Sequence, residues 1–292
     1  MTDIRLRIAR GALAAVLTLL ATPALAQFDV DGMWGQRRHE DQPERGPGPD
    51  VGDYAGLPIN DATRMRADSW DASLLTMPEH QCKPHPADYS PRGPANLRIW
   101  KEIDRDTQQV VAYRTHISWQ APERTIWMDG RPHPPEFAAH TWQGFSTGSW
   151  EGGALKVVTT HLKAAFIRRN GLARSDLATM TEYWYRRGNV LTHLLMLQDP
   201  VYLTEPFVRT TNWELEPDLE LEPYPCGYVV EVVRARGEVP HHLPGTNPFL
   251  EEYATRHNLP LEGVRGGAET ALPEFMRRIE GQAARPGTAG QQ

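Results

Sequence analysis

Cysteine is scarce in this chain, and the motifs of the common cofactor sites are absent. Cys82 and Cys226 are the only two cysteines, and two cysteines so far apart do not have the spacing of a zinc finger. The sequence contains no C-x-x-C-H, Walker A or G-x-G-x-x-G motif, and no H-E-x-x-H or H-x-H spacing. These absences argue against covalent haem, a bound nucleotide and a local zinc motif. We therefore predict no cofactor, and a metal only as a less favoured alternative.

Long apolar runs are also missing, and the one apolar run lies at the N-terminus. It spans residues 12–20, follows three arginines and precedes the A-x-A sequence of residues 24–26. A bilayer span needs about 20 apolar residues, so this run is too short to cross a membrane. The order of charge, apolar run and small residues is typical of a signal peptide. We predict cleavage after Ala26 and a periplasmic or secreted protein.

The mature chain is expected to be acidic. Removal of residues 1–26 leaves 292 − 26 = 266 residues, and the loss of three Arg and one Asp moves the net charge from −6 to −8. An acidic chain without a basic run is a poor candidate for nucleic-acid binding, and no later segment is apolar enough to span a membrane. We predict a small molecule as the partner; the oligomeric state stays open.

The predicted export from the cytoplasm also affects what we expect of the two cysteines. In an oxidising environment an even pair favours a disulfide, Cys82–Cys226, over two unpaired thiols. We predict this disulfide, which leaves no thiol nucleophile for catalysis.

Short strands separated by tight turns predict a mainly β fold. Turn signals such as Gly188-Asn189 separate segments rich in β-branched and aromatic residues. We predict an antiparallel up-and-down, lipocalin-like β-barrel. Its expected strands are Phe28–Gly35, Leu97–Ile103, Gln109–Trp119, Arg124–Met128, Trp142–Trp150, Leu155–Lys163, Leu177–Arg186, Val190–Gln198, Leu203–Leu215 and Tyr228–Arg234.

Two other regions flank the predicted barrel. Residues 36–95 are rich in Pro and Gly and predict a loop-rich strap with one short helix that begins after Asn60. Asn247 and Thr270 are expected to cap two C-terminal helices. The predicted organisation is a signal peptide (1–26), a barrel with its Pro-rich strap (27–239), a helical extension (240–283) and a disordered tail (284–292).

Several short motifs carry a resemblance to a known group of proteins. Gly32-Met33-Trp34 resembles the G-x-W signature at the start of lipocalin-like barrels. Residues 129–134 read D-G-R-P-H-P, and residues 142–152 read W-Q-G-F-S-T-G-S-W-E-G. This pattern resembles secreted bacterial proteins of uncharacterised function, over roughly residues 28–235; Gly153 replaces their usual Asp. The resemblance implies secretion and a lipocalin-like barrel, and it implies no reaction.

Histidines fall in three of the predicted strands and are the first candidates for chemistry. They are His116, His161 and His193. His193 lies on an otherwise apolar face and is predicted to point inward. Arg114 shares a face with His116, and this face and the face of His161 are also predicted as candidate inward faces. Imidazoles that converge in a lumen would transfer protons or, as an alternative, ligate a metal. The other interpretation is that each is a hydrogen-bonded wall residue or faces water.

A carboxylate in a later strand has two possible roles. Glu182 lies in the middle of its predicted strand. With a raised pKa it would be a proton-transfer group. Alternatively, it pairs with Arg209 on a neighbouring strand as a structural contact.

Cationic and aromatic residues near the predicted loops are candidates for substrate binding. Arg168 and Arg169 lie between two strands, and guanidinium groups bind carboxylates in a bidentate manner. The alternative is a solvated basic loop. His140 and Trp142 flank a loop rich in Pro and aromatic residues and are also predicted to contact substrate.

Together these residues favour an enzyme without a cofactor. We predict acid/base chemistry (isomerisation, elimination or hydrolysis) on a small apolar or aromatic substrate, either anionic or neutral. The alternatives are a lipocalin-like carrier without catalysis and a histidine-ligated metalloenzyme. The polarity of the lumen distinguishes them, and dispersal of the three histidines would remove the basis of the enzyme hypothesis.

Overall fold

The computed structural model describes residues 28–37, 48–92, 95–221 and 223–283. The predicted signal peptide with its cleavage site after Ala26 and the predicted tail 284–292 lie outside these ranges. Within them, every helix is too short or too polar to cross a membrane.

Strands dominate the fold, and most of them belong to one sheet. They are β1 (Gly32–Gln36), β2 (Leu97–Ile103), β3 (Val110–Ile117), β4 (Glu123–Trp127), β5 (Phe145–Glu151), β6 (Ala154–Thr160), β7 (Ala165–Phe166), β8 (Ala173–Arg174), β9 (Thr179–Arg187), β10 (Val190–Gln198) and β11 (Phe207–Leu215). Nine of them form a closed barrel in the order β1-β11-β10-β9-β6-β5-β4-β3-β2, and β7 and β8 form a separate hairpin. The prediction of a mainly β barrel with a helical C-terminal region is confirmed.

The barrel departs from a purely antiparallel meander at one place, where β4 and β5 pair in parallel. A closed ring whose neighbouring strands all alternate in direction must contain an even number of strands. Nine strands therefore require at least one parallel pair. The chain provides it through residues 128–144, here called the crossover, which return the chain to the end of the barrel where β4 began.

The crossover contains the D-G-R-P-H-P sequence, and its side chains attach it to the barrel wall. The guanidinium of Arg131 lies 3.5 Å from the ring centre of Trp127 and donates to Asp129. The ring of His133 contacts Thr147 on β5 and Thr160 on β6, at 2.9 and 2.8 Å. These contacts give the motif a structural role: it holds the return segment against the parallel pair.

The barrel interior is filled by large side chains. Inward positions alternate with outward ones along each strand, and three indole rings are almost completely buried: Trp34, Trp184 and Trp213. Aliphatic residues from β2, β6 and β10 complete this core, among them Leu97, Val157 and Leu191. Trp184 and Trp213 stack with their ring centres 6.0 Å apart.

A second apolar core lies at one end of the barrel, beneath residues 48–92 of the strap. It joins strap residues such as Tyr54 and Ile59 to Leu172 near the β7–β8 hairpin and to Leu195 and Leu197 of β10. The strap contains α1 (Asp61–Asp68) and α2 (Pro78–Gln81). Asn60 caps α1 by accepting a hydrogen bond from the Thr63 amide at 3.0 Å, as predicted.

The C-terminal extension packs on the strap. Its helices are α3 (Glu252–His257), α4 (Leu261–Val264) and α5 (Pro273–Ala283). Arg265, just after α4, forms a bidentate ion pair with Asp68 at the end of α1, with both distances 2.7 Å. The predicted Cys82–Cys226 disulfide is confirmed.

Three predictions about the last third of the chain were wrong. Residues 228–234 form no strand. Asn247 caps a turn by accepting from the Phe249 amide, and α3 begins later, at Glu252. Thr270 lies in a 3-10 turn, where its hydroxyl accepts from the Gly56 amide at 2.6 Å and donates to the Gly267 carbonyl. The hydroxyl thus serves a tertiary contact, and α5 starts at Pro273.

Candidate functional site

A buried network of polar side chains crosses the barrel interior. Arg124, at the start of β4, forms a bidentate ion pair with Glu182 of β9. Its remaining donors bind Ser146 on β5 at 2.9 Å and Thr159 on β6 at 2.6 Å. His193 of β10 contacts Glu182 through Nε2 at 2.8 Å. The network therefore links five strands of one wall through a single carboxylate and a single guanidinium.

The charges in this network are fixed by their partners. Burial opposes ionisation of Glu182, but the charge of Arg124 and hydrogen bonds from His193 and Arg124 outweigh it and lower the pKa to about 2. Burial also lowers the pKa of His193, against the opposing effect of Glu182. Neutral His193 accordingly donates its Nε2 hydrogen to the carboxylate, and its ring lies 4.3 Å from that of Trp184, with the two planes tilted by 34°.

This network has no room for a substrate. The cavity beside Arg124 has a volume of only about 10 Å³, near the lower limit for one water molecule. The inward orientation of His193 was predicted correctly. The raised pKa considered for Glu182 was wrong, because its pKa is lowered. The alternative, a structural ion pair with an arginine of another strand, describes its role, but the partner is Arg124 rather than Arg209.

Ser146 shows why a motif needs its structural context. Residues 144–148 read G-F-S-T-G and so match the G-x-S-x-G pattern of nucleophilic serines. In hydrolases that serine sits on an exposed turn between a strand and a helix. Here Ser146 lies within β5, is 1% exposed and hydrogen-bonds with Thr159 at 2.9 Å. The match therefore supplies no accessible nucleophile.

Arg114 and His116 lie on the outer face of the barrel, so the prediction that they point inward was wrong. The Arg114 guanidinium lies 3.4 Å from Glu102 on β2 and 3.5 Å from Glu123 on β4. The His116 ring lies 3.7 Å from Glu123. Carboxylates on both sides flank this half-buried polar row, while alternate residues of β3 such as Tyr113 and Ile117 fill the core.

His161 also leaves the interior, because β6 ends one residue earlier. Its φ of +57° is uncommon for a residue with a side chain and turns the chain away from the strand. The His161 Nε2 lies 2.9 Å from the Pro135 carbonyl and must donate to it. Its Nδ1 then accepts from the Thr160 hydroxyl at 2.7 Å, and that oxygen accepts from His133. This series of hydrogen bonds holds the crossover in place.

The three histidines thus lie in three different environments and share no cavity. The remaining predicted residues are also dispersed. His140 Nδ1 donates to the Leu162 carbonyl at 3.0 Å, and Arg209 donates to the Asp88 carbonyl at 2.6 Å. Arg168 lies at the tip of the β7–β8 hairpin. In the described ranges, no group of three His, Cys, Asp or Glu side chains is placed to hold a metal ion.

Trp142 and Arg169 do come together, in a cleft between the strap, the crossover and the β7–β8 hairpin. This strap cleft has a volume of about 240 Å³. Its walls include five aromatic rings, which are Trp70, Tyr89, Trp119, Trp142 and Phe166. Its basic groups are His80, Lys83, His85 and Arg169, and no Asp or Glu is among the described residues that line it.

Lys83 is the distinctive cation of the strap cleft. Its Nζ lies 4.3 Å from the ring centre of Trp142, and the Nζ of Lys163 lies 5.2 Å from the same ring. Burial, and then the charge of Lys163, lower the pKa of Lys83. No carboxylate of a described residue offsets these two effects. Lys83 is therefore a half-buried cation that lies against an indole ring and close to a second lysine.

His85 supplies an uncharged polar group to the same cleft. Its ring lies 4.9 Å from Tyr89 and 5.5 Å from Trp119, measured between ring centres. Burial, and then the charges of Arg169 and Arg92, lower the pKa of His85 to about 4. The imidazole is thus neutral at neutral pH and keeps one N–H donor and one acceptor.

A second, open groove of about 580 Å³ adjoins the strap cleft at Trp119. Asn96, Ser118 and Tyr224 contribute to it, and its charged residue is Glu220. The groove is open to solvent, contains a carboxylate, and has no Lys, Arg or His among the described residues that line it. We therefore regard the strap cleft as the candidate site.

The chain matches no family model, no curated protein and no solved structure.

Acid is expected to destabilise the fold through His85. Its pKa is about 4 in the folded chain against an ordinary value of 6.5. The unfolded chain therefore binds a proton first as the pH falls through 6.5. The free energy of unfolding should decrease between pH 6.5 and pH 4, by up to about 3 kcal/mol from this residue.

Urea denaturation of a His85→Gln variant measures this contribution. The variant should lose less stability than the wild-type protein between pH 7 and pH 4.5. A His241→Gln variant at an exposed histidine should follow the wild-type slope. Equal slopes for all three proteins would contradict the assignment to His85.

Proposed function

We propose that this protein is an exported binding protein for a small aromatic or apolar anion, and that the strap cleft is its binding site. The observation that carries the proposal is the environment of Lys83, a half-buried cation among aromatic rings without a compensating carboxylate. Partial removal of a charge from water costs free energy unless an opposite charge or hydrogen bonds offset the loss. An anionic ligand would provide the missing charge, and its ring would stack on the cleft walls.

The neutral histidine supports binding over catalysis. A general base works best when its pKa is close to the working pH, and the pKa of His85 is about 4. At neutral pH this imidazole would be a weak base and a competent hydrogen-bond donor to a carboxylate. The buried Glu182 and His193 pair, the other acid/base candidate, has no cavity for a substrate. The carrier function thus has more support than the enzyme first predicted.

A pair of probes that differ only in charge tests this function. We expect 2-naphthoate to quench the fluorescence of the cleft tryptophans and to bind more tightly than its neutral analogue, 2-naphthamide. A Lys83→Met variant should lose about tenfold in affinity for 2-naphthoate, because one charge interaction at a partly buried site is removed. Isothermal titration calorimetry gives both affinities.

The control is a lysine far from the cleft. Lys156 pairs with Glu151 on the β5–β6 hairpin, and a Lys156→Met variant should bind both probes as the wild-type protein does. The Lys83→Met variant should still bind 2-naphthamide with an affinity within about twofold of the wild-type value. Equal binding of both probes by the wild-type protein, or no binding of either, would refute the proposal.

A further inference from the structure

The indole of Trp119 lies between the strap cleft and the open groove beside it. Among the residues that the structure describes, Trp119 is the one that lines both. Its ring centre lies 5.5 Å from that of His85, and the ring also packs against the barrel core. The cleft has a volume of about 240 Å³ and the groove one of about 580 Å³. This one side chain therefore separates a small enclosed space from a larger open one.

The turn that carries Trp119 has an unusual backbone. Gln120 and Ala121 have φ values of +59° and +44°, a left-handed region that residues with a side chain adopt rarely and at a cost in free energy. Glycine would adopt it without strain, but residues 119–122 read W-Q-A-P. Strained backbone of this kind persists only where surrounding contacts fix it, and it is concentrated at ligand sites.

Contacts on two sides hold this turn (residues 119–121, here called the Trp119 turn). At its base, the Ile117 amide donates to the Pro122 carbonyl at 3.3 Å. On the strap side, Gln120 Nε2 donates to the Gln81 carbonyl at 3.3 Å. The β3–β4 hairpin and the strap thus fix the turn together. A turn with less strain would have more freedom to leave this conformation, and the indole would move with it.

We propose that Trp119 sets the upper size limit of the ligand, and that the strained Trp119 turn holds the indole in the position where it does so. The inference rests on the binding function proposed for the strap cleft and names the size of anion that this site accepts. A compact aromatic anion fits within the cleft. A longer one, with its charge at Lys83, would meet the indole before it reached the groove.

The groove defines what a longer ligand would need once the indole is absent. Leu221, Pro223 and Tyr224 supply apolar surface to it, and its charged residue is Glu220. This carboxylate would repel a second anionic group. The probe that crosses from the cleft into the groove must therefore carry one negative charge and a neutral far end.

Calorimetry with two monoanionic probes of different length tests the inference. The short probe is 2-naphthoate, and the long probe is 4-(2-naphthyl)benzoate, which has one further neutral ring. The sample is the mature protein with its disulfide intact. We expect the wild-type protein to bind the short probe at least about tenfold more tightly than the long probe.

Two variants should relax this preference. Trp119→Ala opens the cleft to the groove, so the affinity for the long probe relative to the short one should rise at least about tenfold. Ala121 lines neither cavity, and Ala121→Gly keeps the indole while relieving the strain. Its ratio should rise about threefold, while its urea midpoint should be no lower than that of the wild-type protein. A residue with a purely structural role would not change size selectivity without a loss of stability.

Trp142→Ala is the matched control, because Trp142 lines the cleft but not the groove. It should weaken binding of both probes and leave their ratio within about twofold of the wild-type value. Circular dichroism establishes that each variant is folded. If Trp119→Ala does not fold, Ala121→Gly alone decides the outcome.

Several results would overturn the inference while the binding function stands. They are equal binding of both probes by the wild-type protein, an unchanged ratio in Trp119→Ala, and an equal rise of the ratio in Trp142→Ala. An unchanged ratio in Ala121→Gly would overturn the role of the turn. A wild-type protein that binds neither probe would overturn the inference and the binding function together.

Discussion

An Arg124→Met variant is expected to lose about 3–5 kcal/mol of folding free energy at neutral pH, the usual effect of removing one partner of a buried ion pair. Glu182 is 0% exposed and receives two hydrogen bonds from the guanidinium. Methionine fills much of the volume of arginine but leaves the carboxylate buried and uncompensated. Guanidinium chloride denaturation, followed by tryptophan fluorescence, measures the loss.

The loss should depend on pH in a defined direction. The pKa of Glu182 is lowered to about 2 from an ordinary value of 4.5, so its contribution to wild-type stability is complete above pH 4.5 and is lost as the pH falls toward 2. In the variant the isolated carboxyl group can protonate, which removes the buried charge. The difference between the two proteins should therefore shrink in acid.

A double variant distinguishes an uncompensated charge from a packing defect. Arg124→Met combined with Glu182→Gln removes both charges, and glutamine keeps an acceptor for His193. We expect this protein to be more stable than the single Arg124→Met variant. A double variant that is less stable than the single one would show that packing, rather than charge, dominates at this site.

Local sequence patterns predict the strands well but not the closure of the barrel. Leu97–Ile103 and Val190–Gln198 were predicted with the observed bounds, because alternating apolar residues and flanking turns define them locally. The parallel pairing of β4 with β5 depends on the total number of strands. No short window of sequence contains that number, so a simple meander was the natural prediction.

Whether a side chain points inward could likewise be predicted only where the sequence of its own strand decides it. His193 was placed inward correctly, since its neighbours Leu191 and Leu195 leave the face otherwise apolar. On β3 both faces contain polar residues, and the deciding contacts of Arg114 with Glu102 and Glu123 come from adjacent strands. The burial of Arg124 was not predicted from the sequence. A charged residue at the start of a strand is typical of the surface, and only closure of the barrel buries it.

The candidate binding site is the part least accessible to sequence reasoning. Trp142 and Arg169 were singled out for separate reasons, and only the fold places them in one cleft. Lys83 and His85 belong to a Pro-rich segment without periodicity, so nothing local distinguishes them from surface residues. Their significance depends on burial and on the absence of nearby carboxylates, and both are properties of the tertiary structure.

Replacing both cysteines by serine is expected to remove about 4–5 kcal/mol of stability in the chain-entropy model, because the disulfide joins residues 144 positions apart. Gln81 and Lys83, on either side of Cys82, both line the strap cleft. Loss of the disulfide should therefore also weaken 2-naphthoate binding, since the cation is no longer held in place. Urea denaturation and calorimetry of the Cys82→Ser/Cys226→Ser variant measure the two effects.

A comparison with the Arg124→Met variant separates the loss of stability from the loss of binding. That variant is expected to lower stability by a similar amount, at a site inside the barrel. At a temperature where both variants are fully folded, Arg124→Met should bind 2-naphthoate as the wild-type protein does, while the cysteine variant should bind more weakly. If both bind equally well, the disulfide stabilises the chain without organising the cleft. Weaker binding by the cysteine variant alone ties the one covalent crosslink of the chain to the position of Lys83, and so to the charge that the proposed ligand neutralises.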